Sequence, residues 1–139
     1  MTTPLVLSKN SLSLAGAKAV AAAAAESASS AKIDVVIAVV DGGTNLLYLE
    51  RMDGAPIGSG EIALRKAKAS ASFKCETKDF ETGLTAGGMS LLSLDLVLFG
   101  GGVPIFRDKS IVGAIGVSGG SSTQDANIAS AGAAALSDS

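Results

Sequence analysis

Residues Asp34–Glu50 read DVVIAVVDGGTNLLYLE, and this stretch decides the fold. Asp34–Val40 is rich in β-branched residues with no interleaved polar side chain, the pattern of a strand buried on both faces. Asp41-Gly42-Gly43-Thr44-Asn45 then supplies residues that tolerate positive φ, as a tight reversal requires. Leu46–Glu50 is the return strand. A β-hairpin at this point implies an antiparallel sheet.

Working outward, residues 1–10 form a short lead-in. Ser11 or Ser13 caps an Ala-rich helix reaching about Lys32, with Leu12, Leu14, Ala17, Val20, Ala21, Ala24, Ala25 and Ala28 available for one face. Beyond the hairpin, Arg51–Gly60 (RMDGAPIGSG) is an irregular loop. A second helix is expected from Glu61 to about Lys78, with small side chains every four residues at Ala63, Ala67, Ala71 and Cys75. Such a stripe lets a helix lie close on a sheet, and it marks Cys75 as core. Residues 79–92 have little periodicity and read as loop with a short helix. Leu94–Leu98 reads as a strand. Ile105-Phe106, the polar turn Arg107–Ser110 and Ile111–Val117 form a second hairpin. A last helix runs from about Thr123 to Leu136, with Ser122 and Asp125 at capping-box spacing. The expected fold is α+β: one domain over residues 1–139, with five antiparallel strands flanked by helices.

The composition excludes several chemistries. Among 139 residues there is no His and a single Cys. Ser-His-Asp and Cys-His mechanisms, a Cys-based zinc site and histidine-ligated iron are therefore unavailable within one chain. No spacing suggests a metal site. A net charge of −2 argues against a nucleic-acid partner. No apolar run approaches a membrane span. Met1-Thr2-Thr3-Pro4 has no basic n-region, so no signal peptide is expected and the cytoplasm is the expected location.

Four segments carry candidate chemistry. Ile115–Ser122 (IGVSGGSS) is a strand, a glycine turn and a helix start, where free backbone N–H groups and the helix dipole suit an anion; the alternative is a tight turn that simply needs glycine. Arg51 can grip a carboxylate, and Asp53 can act as a base or an acceptor; alternatively Arg51 pairs with Asp53 or Glu61 to fix the loop. Glu61 suits general acid–base work if it is buried, and otherwise favours the helix dipole. Of Lys66 and Lys68, one is expected to be solvated and the other to snorkel, with a catalytic amine at Lys66 as the sharper alternative. Phe99–Pro104 (FGGGVP) lets a backbone approach a ligand or a second subunit. Tyr48, Met52, Met89 and Cys75 are the only soft or phenolate donors for iron.

The blocks AVVDGGTNLLYLERMDGAP, EIALRKAKASA and FGGGVPIFRDKSIVGAIGVSGGSSTQD together resemble the GlcG/HbpS-like family, also called the haem-degrading domain family, which includes the C-terminal domain of PduO-type proteins. The resemblance runs from about Leu12 to Leu136. It implies a profilin-like α/β/α sandwich around a five-stranded sheet, a homo-oligomer, and a small-molecule ligand such as haem or another tetrapyrrole, although this chain has no His to hold haem iron. It marks Arg51, Met52, Asp53 and Gly54, then Gly101, Gly102 and Pro104, then Gly116, Ser118 and Gly119, as pocket or subunit-contact positions. The expected function is small-ligand binding. The alternatives are an enzyme acting on a small carboxylate or lactone, with Glu61 or Asp53 as base and Arg51 as clamp, and an oligomeric accessory protein.

Overall fold

The computed structural model describes residues 2–138, so Met1 and Ser139, the two ends of the segment read as one domain, lie outside the described residues. Four helices and four strands follow in the order α1 (Leu14–Ser30), β1 (Val36–Asp41), β2 (Leu46–Arg51), α2 (Ser59–Phe73), α3 (Thr77–Thr85), β3 (Gly102–Arg107), β4 (Ser110–Ser118) and α4 (Ser122–Ala134), with a 3-10 helix at Met89–Leu94 before β3. Both expected hairpins form. The sheet is antiparallel throughout in the order β2-β1-β4-β3.

Alternation along the central strands sorts side chains into two cores. Val35, Ile37 and Val39, with Ile115 and Val117, face α1 and α4, meeting Val20, Ala24, Ile128 and Ala129. Val36, Ala38, Val40 and Ala114 face α2, meeting Ala63, Ala67 and Ala71. The α2 side is lined by small residues, and the helix lies correspondingly close. A methyl group at Gly116 would collide with the Ala63 carbonyl and stand 2.6 Å from the Ala67 nitrogen. The four-residue stripe read from the sequence therefore seats α2 on the sheet.

Three expectations need correction. The sheet has four strands, because Leu94–Leu98 is not one of them. Met89–Leu94 winds as a 3-10 helix, with Ser93 Oγ bonded to the Ser90 carbonyl at 2.7 Å, and Asp95 turns left-handed at φ 54°. Extended pairing cannot pass through that residue. The strand here is instead Gly102–Arg107, longer than the expected Ile105-Phe106. It lies at the sheet edge, where Pro104 leaves no ladder hydrogen bond unmade.

The second helix stops at Phe73 rather than about Lys78. Lys74 takes a left-handed conformation at φ 55° and α3 starts in a new direction at Thr77. The break brings the buried Thr77 hydroxyl to the Gly102 N–H, 2.8 Å away. It also leaves Cys75 beyond the end of the stripe, half-buried between two helices, where burial and the charges of Asp79 and Glu76 push its thiol up. The cap of α4 lies one residue earlier than expected: Ser121 and Gln124 form the capping box, which frees Asp125 for another partner.

Gly116→Ala is expected to destabilise the protein by about 1–3 kcal/mol through forced displacement of α2. Gly60→Ala, in the first turn of α2 with nothing within 4 Å of the new methyl group, is expected to stabilise it by about 0.4–1 kcal/mol. Urea unfolding followed by circular dichroism measures both.

Candidate functional site

The register gathers the candidate segments at one end of the sheet. Val36 pairs with Arg51 on one side and with Ser118 on the other, so the exit of β2 and the exit of β4 flank the start of β1. Gly102 pairs with Gly116, and the Gly101 carbonyl accepts the Val117 N–H at 2.8 Å. Gly54 packs against the Asp34 side chain and Gly119 against the Asp34 backbone. The Arg51–Gly54 and Ser118–Gly119 segments therefore meet around β1, while the Gly101–Gly102 segment lies one strand further out, against β4.

Beneath them is a buried ion pair. Lys66, on α2, is 0% exposed. Its ammonium donates to Asp125 Oδ2 on α4 at 3.2 Å and to the Val117 carbonyl on β4 at 2.9 Å. The other Asp125 oxygen accepts the Gly120 N–H at 2.8 Å. The Phe99 ring caps the ammonium, its centroid 4.8 Å from Nζ, with the outer part of the residue still 42% exposed. A side chain at Gly101 would collide with the Val117 carbonyl and reach within 2.7 Å of Nζ, and Gly101 has φ +133°. Glycine is thus required here by both space and backbone conformation. Burial pulls the Lys66 ammonium below its ordinary value, while Asp125, and beyond it Glu81, push it back up.

Glu81 of α3 closes the side of this arrangement. Its carboxylate accepts the Gly100 N–H at 2.9 Å and the Ser122 hydroxyl at 3.1 Å, tying α3 to the loop before β3 and to the first residue of α4. Glu81 and Ser122 border an open cleft of about 350 Å³ between α3 and α4, with Lys78, Thr123 and Asn127 around it.

The predicted residues have mixed positions. Arg51 forms no ion pair with Asp53 or Glu61 among the described residues. Its guanidinium donates to the Ala55 carbonyl at 2.6 Å and the Pro56 carbonyl at 3.5 Å, fixing its own loop. Asp53 is exposed, and so is Glu61, in the first turn of α2. The N–H groups of the Ser118–Ser122 turn are largely taken: Gly120 donates to Asp125, and Ser121 to Gln124 at 2.9 Å. Lys68 is exposed as expected of one lysine, but Lys66 is enclosed and does not snorkel. Gly102 and Pro104 are buried in β3.

The iron-donor candidates are scattered. Met52 Sδ accepts the Val35 N–H at 3.4 Å, Tyr48 donates to Glu50 at 3.2 Å, Cys75 lies between α2 and α3, and Met89 is 64% exposed. Among the described residues no three His, Cys, Asp or Glu side chains cluster as metal ligands.

Sequence reasoning missed Glu81 and read Asp125 only as a helix-end charge. The available signal was Lys66 itself, which falls on the face of α2 occupied by Ala63, Ala67 and Ser70 and so had to be buried with a partner.

A family model described as haem degrading protein HbpS-like matches residues 12–134. The chain belongs to this HbpS-like family. GlcG of Escherichia coli K12 is 38% identical over 119 residues, 85% of each chain. A crystal structure of a double mutant of HbpS of Streptomyces reticuli superposes with a TM-score of 0.88 at 32% identity, covering 99% of this chain and 95% of that one. The crystal structure of a PduOC–haem complex superposes with a TM-score of 0.81 at 32% identity, covering 91% of this chain and 95% of that one. The resemblance read from the three sequence blocks is therefore correct. Among the described residues no helix is long and apolar enough to cross a membrane.

Lys66→Met leaves Asp125 buried and unpaired, and is expected to cost about 3–5 kcal/mol in chemical unfolding. Because folding lowers the Lys66 value below 10.5, the unfolded chain holds this proton more tightly. The Lys66 contribution to stability therefore rises with pH from its folded-state value up to 10.5. Subtracting the stability–pH profile of Lys66→Met from that of the wild type should isolate this rising component.

Proposed function

We propose that residues 1–139 form one small-ligand-binding domain whose ligand is a haem-type tetrapyrrole, held through its ring and its carboxylates and not through a bond from a side chain to iron. The observation that carries this reading is the similarity to PduOC, seen as a haem complex, over 91% of the chain. The absence of His, the commonest axial ligand, favours a grip that does not depend on the metal. The Ser118 end of the sheet supplies the parts. Arg51, with Met52, Asp53 and Gly54, forms one rim, and its guanidinium keeps N–H groups beyond the two spent on loop carbonyls. Gly119 lies across the start of β1 from it, with the buried Ser118, Gly101 and Gly116 setting the close backbone approach behind. The exposed face of Phe99 and the cleft beside Glu81 offer an apolar surface next to polar groups, the usual combination in a ligand site.

Titration with haemin and with metal-free protoporphyrin IX tests this. Both are expected to bind with similar affinity, and Arg51→Gln to weaken both by about tenfold, the cost of a lost charged hydrogen bond. Tight binding of haemin alone, with the spectrum of a side-chain-ligated iron, would overturn the ligation-free mode. No absorbance change with either compound at micromolar protein would overturn the tetrapyrrole reading.

One observation favours a second reading, an acid–base enzyme acting on a small carboxylate or lactone. General acid–base catalysis needs a carboxylate sheltered from bulk water. Glu61 and Asp53 are exposed, whereas Glu81 is half-buried at the cleft wall, and Glu81 is the better base. If a substrate is found, Glu81→Gln should abolish turnover while Glu61→Gln spares it.

The family resemblance also implies self-association, and exposed Met89, Leu92 and Leu94 on the 3-10 helix supply apolar surface for it. Light scattering on a size-exclusion column should give more than one chain mass; a strict monomer would exclude it.

A further inference from the structure

At the opposite end of the sheet, where β1 turns into β2 and β3 into β4, a second groove crosses the surface. It consists of two adjoining clefts of about 290 and 510 Å³ that share Lys9, Asn10, Lys74 and Ile111. Lys109 adds a third ammonium at one end, and the Gly42-Gly43 backbone lines the other.

The charge pattern distinguishes this groove. The chain is net acidic at −2, yet three lysines and no carboxylate line the two clefts. The ion pairs of the described residues are Arg65–Asp95, Lys66–Asp125, Lys78–Glu76 and Arg107–Asp138, so none involves Lys9, Lys74 or Lys109. The nearby acids are engaged or turned aside. Asp41 accepts the Gly43 and Asn45 N–H groups at 2.9 Å each. Asp138 holds Arg107 and the Asp108 N–H at 2.6 Å. Asp108 and Asp138 border a further cleft that adjoins the first through Phe106 and Lys109.

Three like charges brought to one groove repel one another unless an anion joins them. Complementing the C-terminal dipole of α2 accounts for Lys74 alone. Lys9 comes from the N-terminal lead-in and Lys109 from the β3–β4 turn, each on an independent element. Lysine is a point charge with rotatable donors, suited to phosphate, whereas planar carboxylate recognition favours the arginine fork. Hydroxyls of Ser72 and Ser110, also lining the groove, can complete the shell around phosphoryl oxygens.

We propose that this groove binds a small molecule through a phosphate or diphosphate group, with Lys9, Lys74 and Lys109 as its cationic contacts. The site lies at the other end of the sheet from the proposed tetrapyrrole site, and either can exist without the other.

The test is a titration of the 15N-labelled 139-residue chain with sodium diphosphate at constant ionic strength, with inorganic phosphate and citrate as comparison anions. Saturable amide shifts are expected at Asn10, Gly42, Gly43 and Lys74. Binding should weaken from diphosphate to phosphate, and further on added salt. Lys9→Gln and Lys74→Gln should each weaken diphosphate by about tenfold, with the native circular dichroism spectrum retained. Lys18→Gln, an exposed lysine on α1, should leave binding unchanged. Shifts that stay linear, shifts confined to the Ser118 end, or equal weakening by Lys18→Gln would overturn the site. Citrate binding as tightly as diphosphate would overturn the phosphate assignment.

Discussion

The approach of α2 to the sheet governs most of what surrounds it. Where Gly116 passes Ala63, the helix and strand backbones lie too close for even a methyl group between them. This approach requires Ala38, Ala114 and Gly116 on one surface and Ala63, Ala67 and Ala71 on the other. It also fixes the reach of the side chains that α2 sends past the end of β4. Lys66 is long enough to run beneath the strand, bond the Val117 carbonyl and emerge at α4. An ammonium at 0% exposure cannot remain there alone, since desolvation of an unpaired charge costs several kcal/mol. Asp125 is therefore a consequence of the helix–sheet contact as well as a member of α4. Replacing both members of such a pair by well-packed apolar residues is often neutral or stabilising, so the pair follows from the buried position of Lys66 and is not in itself a source of stability.

The parts of this fold that were legible in sequence are those decided by near neighbours. The hairpin at Asp34–Glu50 follows from a β-branched run and a Gly-Gly-Thr-Asn reversal. The helix α1 follows from alanine propensity and the Ser13 cap, whose hydroxyl accepts the Gly16 N–H at 3.1 Å. Residues governed by distant partners were not legible. Leu94–Leu98 has strand-like composition, but the left-handed Asp95 and the 3-10 turn before it keep it out of the sheet. Nothing near Lys74 requires α2 to stop. The reason lies at Thr77, whose hydroxyl satisfies a Gly102 N–H twenty-five residues away. Glu81 is anonymous in sequence for the same reason, because its bonds go to Gly100 and Ser122.

The glycine-rich segments illustrate how one set of residues serves two readings. Gly54, Gly101, Gly116 and Gly119 each abut another chain segment closely enough that a methyl group would collide. That packing explains the glycines without a ligand. It also sets the geometry of the Ser118 end, where Gly101, Gly116 and Ser118 are buried by the close approach of neighbouring backbones. In the same way, the turn before α4 resembles an anion site in sequence but spends its N–H groups on Asp125 and Gln124. The chain has supplied its own acceptors, so any carboxylate of a ligand must be met by Arg51 or by side chains of the α3–α4 cleft.

The lack of histidine has a structural counterpart in how charge is distributed. Without imidazole, no side chain combines a proton exchangeable near neutrality with a metal-binding lone pair, and recognition falls to fixed charges and shape. The two ends of the sheet treat those charges differently. At the Ser118 end the lysine is buried, paired and capped by Phe99, leaving Glu81 to face the cleft. At the hairpin-turn end the lysines are exposed and their neighbouring carboxylates are committed elsewhere. An anionic ligand meets an organised field at the second end and a satisfied network at the first. This contrast is the reason the proposed planar ligand is assigned to the Ser118 end and the proposed phosphate to the turns.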